Sequence, residues 1–170
     1  VTWGSGVNGF IGGAEVVVSA ANSLVGSATT HSVGNGGVLA LSNGHYVVRS
    51  TNWDDGPTSN VGAVTWCNGF TGRVGVVSTA NSLTGSQAND QVGSDGIYPL
   101  TNGNYVVCSP SWDNAGNSDV GAVTFAPGHT GIVGPVTTAN SLVGTANSDQ
   151  VGVGGSFALS NGHYVVSSYF

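Results

Sequence analysis

Short runs of apolar residues recur along the chain, each bounded by Gly, Asn, Asp or Pro. In the middle of the chain they cover 97–100 (IYPL), 105–109 (YVVCS), 122–125 (AVTF) and 133–137 (VGPVT). Such runs between turn-formers predict β-strands. No segment sustains a 3.6-residue period, and the Gly and β-branched content disfavours helix. Several runs (EVVVSA, YVVRS, YVVCS) place apolar residues in succession instead of alternating them. A strand with one wet face alternates, so these runs predict strands covered on both faces. Asn-Gly between Leu100 and Tyr105 supplies residues that tolerate the positive φ of a tight hairpin.

The runs repeat. ANSL begins at Ala21, Ala80 and Ala139, and NGHYVV or NGNYVV begins at Asn43, Asn102 and Asn161, in each case 59 residues apart. VGAVT begins at Val61 and Val120, and the opening VTW enters the same strand late. The loop that follows it, GSGVNGFIGGAE, carries a four-residue insertion relative to its sisters. Nothing else is present, which gives one domain, 1–170, with repeats at about 1–63, 64–122 and 123–170. The predicted fold is all-β, with three tandem four-stranded repeats packed as propeller-like blades; a threefold β-prism or β-trefoil is the alternative. The opening strands read as the third and fourth of a blade and the closing ones as the first and second, so the last blade is expected to be shared between the termini. Three blades are too few for a ring. Self-association into a homo-oligomer is therefore expected, two chains completing six blades.

The segment NDQVGSDGIYPLTNGNYVVCSPSWDNAGNSDVGAVTF resembles the FG-GAP repeat of integrin α-subunit propellers, also similar to units of large repetitive bacterial adhesin-like proteins. Val92-Gly93 stands at the Phe-Gly step, Ser109-Pro110 near the Gly-Ala-Pro step, and Gly121-Ala122-Val123 at the opening of the last block. The resemblance implies a β-propeller with an extracellular recognition role. The family's calcium loop does not carry over, because LSNGHY and LTNGNY hold no carboxylate and calcium wants several. A sparser oxygen set remains at Asp113 and Asp119, where turn-making by Asp and Asn is the competing reading. No other metal and no cofactor is expected.

Charge narrows the partners. The chain has no Lys, its only cations besides four His are Arg49 and Arg73, and the net charge is −6. A nucleic-acid binder needs a basic stripe, so no nucleic-acid partner is expected. No apolar run is long enough to span a bilayer, and membrane insertion is not expected. Few charges with many hydroxyl and amide side chains suit a secreted or cell-surface protein. Cys67 and Cys108 occupy different places in the repeat, so they read either as a bridge or as two inert buried thiols.

Catalysis finds no support. Seven Asp are spread over turns, Glu15 lies in the insertion, and no His has a proposed orienting partner. Ligand binding has better candidates. Trp53 and Trp112 follow YVVxS at matched positions, each with an Asp after it. A ring beside carboxylates and amides is what a sugar needs, stacking on its C–H face and bonding its hydroxyls. The candidate set is Trp53, Asp54, Asp55, Trp112, Asp113 and Asn114, with His45, Asn104 and His163 from the hairpins. Trp3, Trp66 and Phe125 read as core. Asn22, Asn81 and Asn140, like Asp90 and Asp149, read as turn-makers. The expected function is non-catalytic recognition, carbohydrate-binding or adhesive, with glycans or surface ligands as partners. A self-assembling structural repeat of a fibre or surface layer is the alternative.

Overall fold

Thirteen short strands form among residues 1–7, 9 and 17–169, which are the residues described in this computed structural model. They are β1 (Leu24–Val25), β2 (Gly37–Ala40), β3 (Tyr46–Ser50), β4 (Ala63–Cys67), β5 (Gly75–Val76), β6 (Leu83–Thr84) and β7 (Gly96–Pro99). There follow β8 (Tyr105–Ser109), β9 (Ala122–Ala126), β10 (Gly134–Pro135), β11 (Ser141–Val143), β12 (Ser156–Ala158) and β13 (Tyr164–Val166). The described residues are all-β, with no helix, in three tandem repeats whose sheets are not closed into a barrel.

Two sheets are complete. One runs β2-β3-β4-β6 and the next β7-β8-β9-β11, every neighbour antiparallel. The Asn-Gly hairpins join β2 to β3 and β7 to β8 as their φ tolerance requires, with Gly44 at φ +85° and Gly103 at φ +84°. Half-sheets flank them. At one side β1 lies beside Val1, whose carbonyl accepts the Leu24 N–H. At the other, β12 pairs with β13.

The sheets are hooked to one another by strands the repeat pattern assigns differently. The run 133–137 does not add a fourth strand to its own sheet. Its central part, β10, crosses back and pairs in parallel with β6 of the preceding sheet, as β5 does with β1. The fourth antiparallel strand comes from LT or SLV after the Asn turn, two or three residues whose sequence predicts a turn. The turn is there as well. Asn22, Asn81 and Asn140 each accept a backbone N–H, from Ser19, Ser78 and Thr137, and each donates to a backbone carbonyl.

Apolar layers lie between successive sheets. Leu24, Val48, Trp53, Val61 and Cys67 fill the first. Val47, Val64 and Leu83 meet Tyr105, Val107, Trp112 and Val136 in the second. Val106, Cys108 and Val123 meet Tyr164 and Val166 in the third. Val47 and Val48 thus serve opposite layers, as do Val106 and Val107, which is why YVVRS and YVVCS do not alternate. All five residues of β8 are buried.

Three expectations meet the described residues here. Of the blade expected to be shared between the termini, β13 pairs with β12 and Val1 bonds Leu24. Cys67 and Cys108 are both free and buried, in different layers. EVVVSA forms no strand at 17–20; Glu15 and Val16, with residues 8 and 10–14 of the insertion, lie outside the described residues.

Candidate functional site

The two Trp-Asp loops fold identically. After the Trp, the chain makes a tight turn closed by paired backbone bonds, Asp55 with Thr58 and Asn114 with Asn117. The Asp side chain then turns inward. Asp54 Oδ1 accepts the Asn60 N–H at 2.8 Å, and Asp113 Oδ1 accepts the Asp119 N–H at 2.7 Å. Those N–H groups belong to residues at φ +53° and +50°, a strained backbone that Asn and Asp tolerate best. Asp54 also accepts from Thr30 Oγ1 at 2.9 Å. The Asn60 and Thr30 bonds hold its carboxyl below the usual 3.8.

The rings of these loops do not face solvent. Trp53 is 3% and Trp112 4% exposed, each inside an inter-sheet layer. Their Nε1 atoms are buried without a partner among the described residues. The expectation that they present a stacking face for a sugar is therefore corrected. A Trp set beside a polar loop is buried here because the next sheet closes over it. Asp55 stays exposed, and Asn114 and Asp113 are half-buried beside a hollow of about 360 Å³ that Trp112 floors.

The hairpin candidates sit on a different joint. His45 Nδ1 accepts the Gly69 N–H at 3.2 Å, its ring packing on Trp66 at 4.9 Å. Asn104 takes the same role, its Oδ1 accepting from Gly128 N–H at 2.9 Å. Phe70 and His129 also edge against His45. His163 has no such partner among the described residues and is exposed. Trp66 and Trp3, read as core, are half-buried, and each donates its Nε1–H to the following unit, to Gly128 and Gly69 carbonyls at 2.8 and 2.9 Å. Phe125 in the third copy stacks on Tyr164 and is 40% exposed.

The remaining repeated polar groups do similar work. Asp90 is buried, taking N–H bonds from Ser86, Gln87 and Asp113, the last from the neighbouring Trp-Asp loop. Burial pushes its carboxyl up despite these donors. Asp149 accepts from Thr145 and Ala146 in the same way. In the first copy His31 takes this place, edge-on to Trp53. Asp113 and Asp119 are joined to each other as a turn, and no cluster of three or more His, Cys, Asp or Glu arranged for a metal exists among the described residues.

One concave place was missed by the sequence reading. A groove of about 320 Å³ lies between β2 and β7, with Arg49, Asp95 and Tyr98 on its walls. Arg49 donates to the Gly36 and Gly93 carbonyls at 2.8 and 3.1 Å, and Tyr98 to Asp95 at 2.8 Å. The signal was available: Arg49 stands where the other copies hold Cys108 and Ser167, and Asp95 where they hold Gly36 and Gly154.

The repeat family described as "Repeat of unknown function (DUF5650)" matches residues 1–35, 40–94 and 99–153, and the chain belongs to it. No FG-GAP match accompanies it, so the integrin-like assignment is overturned. The residues that carried that resemblance answer to stacking. A side chain on Gly121 would collide with the Val151 backbone, and one on Gly93 with Val64 and Arg49; any β repeat so closely apposed needs glycine there. No curated protein and no solved structure matches the chain.

Proposed function

We propose that this member of the repeat family is a non-catalytic structural module, whose units lock face to face into a rigid scaffold. One observation carries the reading. The polar and aromatic side chains that recur every 59 residues are, among the described residues, taken up in buried layers, in turns and in bonds between units. Asn43 reaches the Gly103 and Gly128 carbonyls, Trp66 reaches Gly128, and Asp90 takes the Asp113 N–H. Repeat proteins draw their stability from such nearest-neighbour interfaces.

A glycan array probed with the labelled chain tests this, followed by titration of any hit. The scaffold reading expects no specific saccharide. A saccharide bound at micromolar Kd, with affinity lost in Asp113→Ala, overturns it in favour of recognition.

A further inference from the structure

The joint between units is made twice within the chain, and its two halves stand open on opposite sides. Where it is made, Gly75 and Val77 donate their N–H groups to the Ser23 and Val25 carbonyls, and Gly134 and Val136 to those of Ser82 and Thr84. The pairing covers one apolar side chain from each partner. Leu24 and Leu83 are 1% and 0% exposed, and Val77 and Val136 are each 2% exposed. In the third copy the edge of β11 opposite β9 has no strand partner among the described residues, and Leu142, the counterpart of Leu24, is 58% exposed. In the first copy Val18, the counterpart of Val77, is 60% exposed, and Val17 beside it 88%. Beyond β11 the apolar surface continues through Phe157 and Val165 at 60% and 51%.

We propose that a second copy of this chain docks head to tail, its Val17–Val18 segment adding in parallel to the free edge of β11. The register follows the joints already formed: Val17 opposite Val143, with the Val18 N–H donating to the Val143 carbonyl, as Val76 stands opposite Val25 and Val77 donates to it. Leu142 and Val18 become buried as their counterparts are. At this end the aromatic is Phe125, so the indole bond of the internal joints has no counterpart in this one. The two surfaces differ, so the contact is heterologous, and a docked pair retains one free half of each kind. The proposal rests on the scaffold reading and names its partner.

The test is the solution mass of the 170-residue chain, followed by sedimentation over a wide concentration range. The parent is expected to rise from 16.8 kDa with concentration. Leu142→Arg spoils only the tail and Val18→Pro only the head, the latter by removing the N–H. Both sites are exposed, and circular dichroism confirms that the variants keep the parent fold. Each variant alone should remain monomeric. An equimolar mixture should form dimers and stop there, because it retains one good head and one good tail. A Val17→Cys copy mixed with a Val143→Cys copy should oxidise to a crosslinked heterodimer. A parent that stays at 16.8 kDa throughout, a variant that still associates, or a mixture that stays monomeric overturns the joint. None of these outcomes touches the scaffold reading, which saccharide binding tests separately.

Discussion

Gly128→Ala should be among the most damaging methyl additions at the described glycines. Gly128 is buried and its φ is unexceptional, so the penalty comes from crowding alone. A Cβ there would overlap the Gly103 carbonyl oxygen and sit 2.6 Å from that carbonyl carbon and 2.9 Å from Asn43 Nδ2. The backbone must withdraw, and three inter-unit bonds leave with it: Trp66 Nε1–H and Asn43 Nδ2–H to the Gly128 carbonyl, and Gly128 N–H to Asn104. Each is worth about 1 kcal/mol net, and overpacking adds about 1–3 kcal/mol. The expected loss is about 4–6 kcal/mol, a large part of the total stability of about 5–15 kcal/mol typical of a domain. Urea unfolding at constant m measures it. Two controls separate the causes. Gly116 is at φ +92° with open space around it, so Gly116→Ala should cost only the conformational strain, about 1–2 kcal/mol. Gly6 has neither constraint, and Gly6→Ala should be neutral within about 0.5 kcal/mol. A Gly128→Ala midpoint equal to that of Gly116→Ala would refute the claim that close apposition of units holds the structure together.

Arg49→Ala removes two charged hydrogen bonds to the Gly36 and Gly93 carbonyls; with partial exposure discounting them, a loss of about 2 kcal/mol is expected in the same urea assay. The buried thiols should be inert. Desolvation pushes Cys67 up to about 12 and Cys108 to about 11, so neither should react with a thiol reagent at pH 8 until denaturant is added, and fast native-state labelling would contradict their burial. Asp90 and Asp149 should titrate on opposite sides of 3.8. Burial raises Asp90, so its stabilising share is full below 3.8 and is lost as pH rises through the folded value. The Ala146 and Thr145 N–H groups lower Asp149, so its share is present above 3.8 and is lost as pH falls. Carboxyl-carbon NMR titration reads both midpoints, and a reversed order would remove the burial argument.

The architecture was largely readable because β hairpins leave local marks. The Asn-Gly turns, the non-alternating Val-Val pairs and the 59-residue spacing are properties of neighbouring residues, and each led to the right element. What misled was anything settled by the next unit in space. β10 reads as a strand from its own residues, but which sheet receives it is fixed by β6, some 50 residues earlier. Trp53 and Trp112 illustrate the same limit. Their neighbours are polar, which suggested an open face, yet the layer that buries them is built by Val77 in one case and Val136 in the other. A local polar context cannot report on a wall supplied from another repeat. The same cause explains His45 and Asn104, two dissimilar side chains at one position that accept the same kind of N–H.

Departures from the repeat are where a function specific to one copy should be sought, and the Arg49–Asp95 groove is the clearest of them. Its chemistry argues for joining rather than binding. The Arg49 Nε faces the Gly36 carbonyl beside β2, while its Nη1 crosses to the Gly93 carbonyl leading into β7. Asp95 is engaged by the Tyr98 hydroxyl. Glycine at 36 is what admits the guanidinium, because a Cβ there would lie 2.5 Å from Nε. The next pair of sheets solves the same problem with smaller groups, Cys108 Sγ against Ser156 Oγ at 3.3 Å. Two different residue sets thus span equivalent gaps between equivalent strands. The constraint preserved between copies is the bridging of neighbouring sheets, and the side chain that performs it is free to vary.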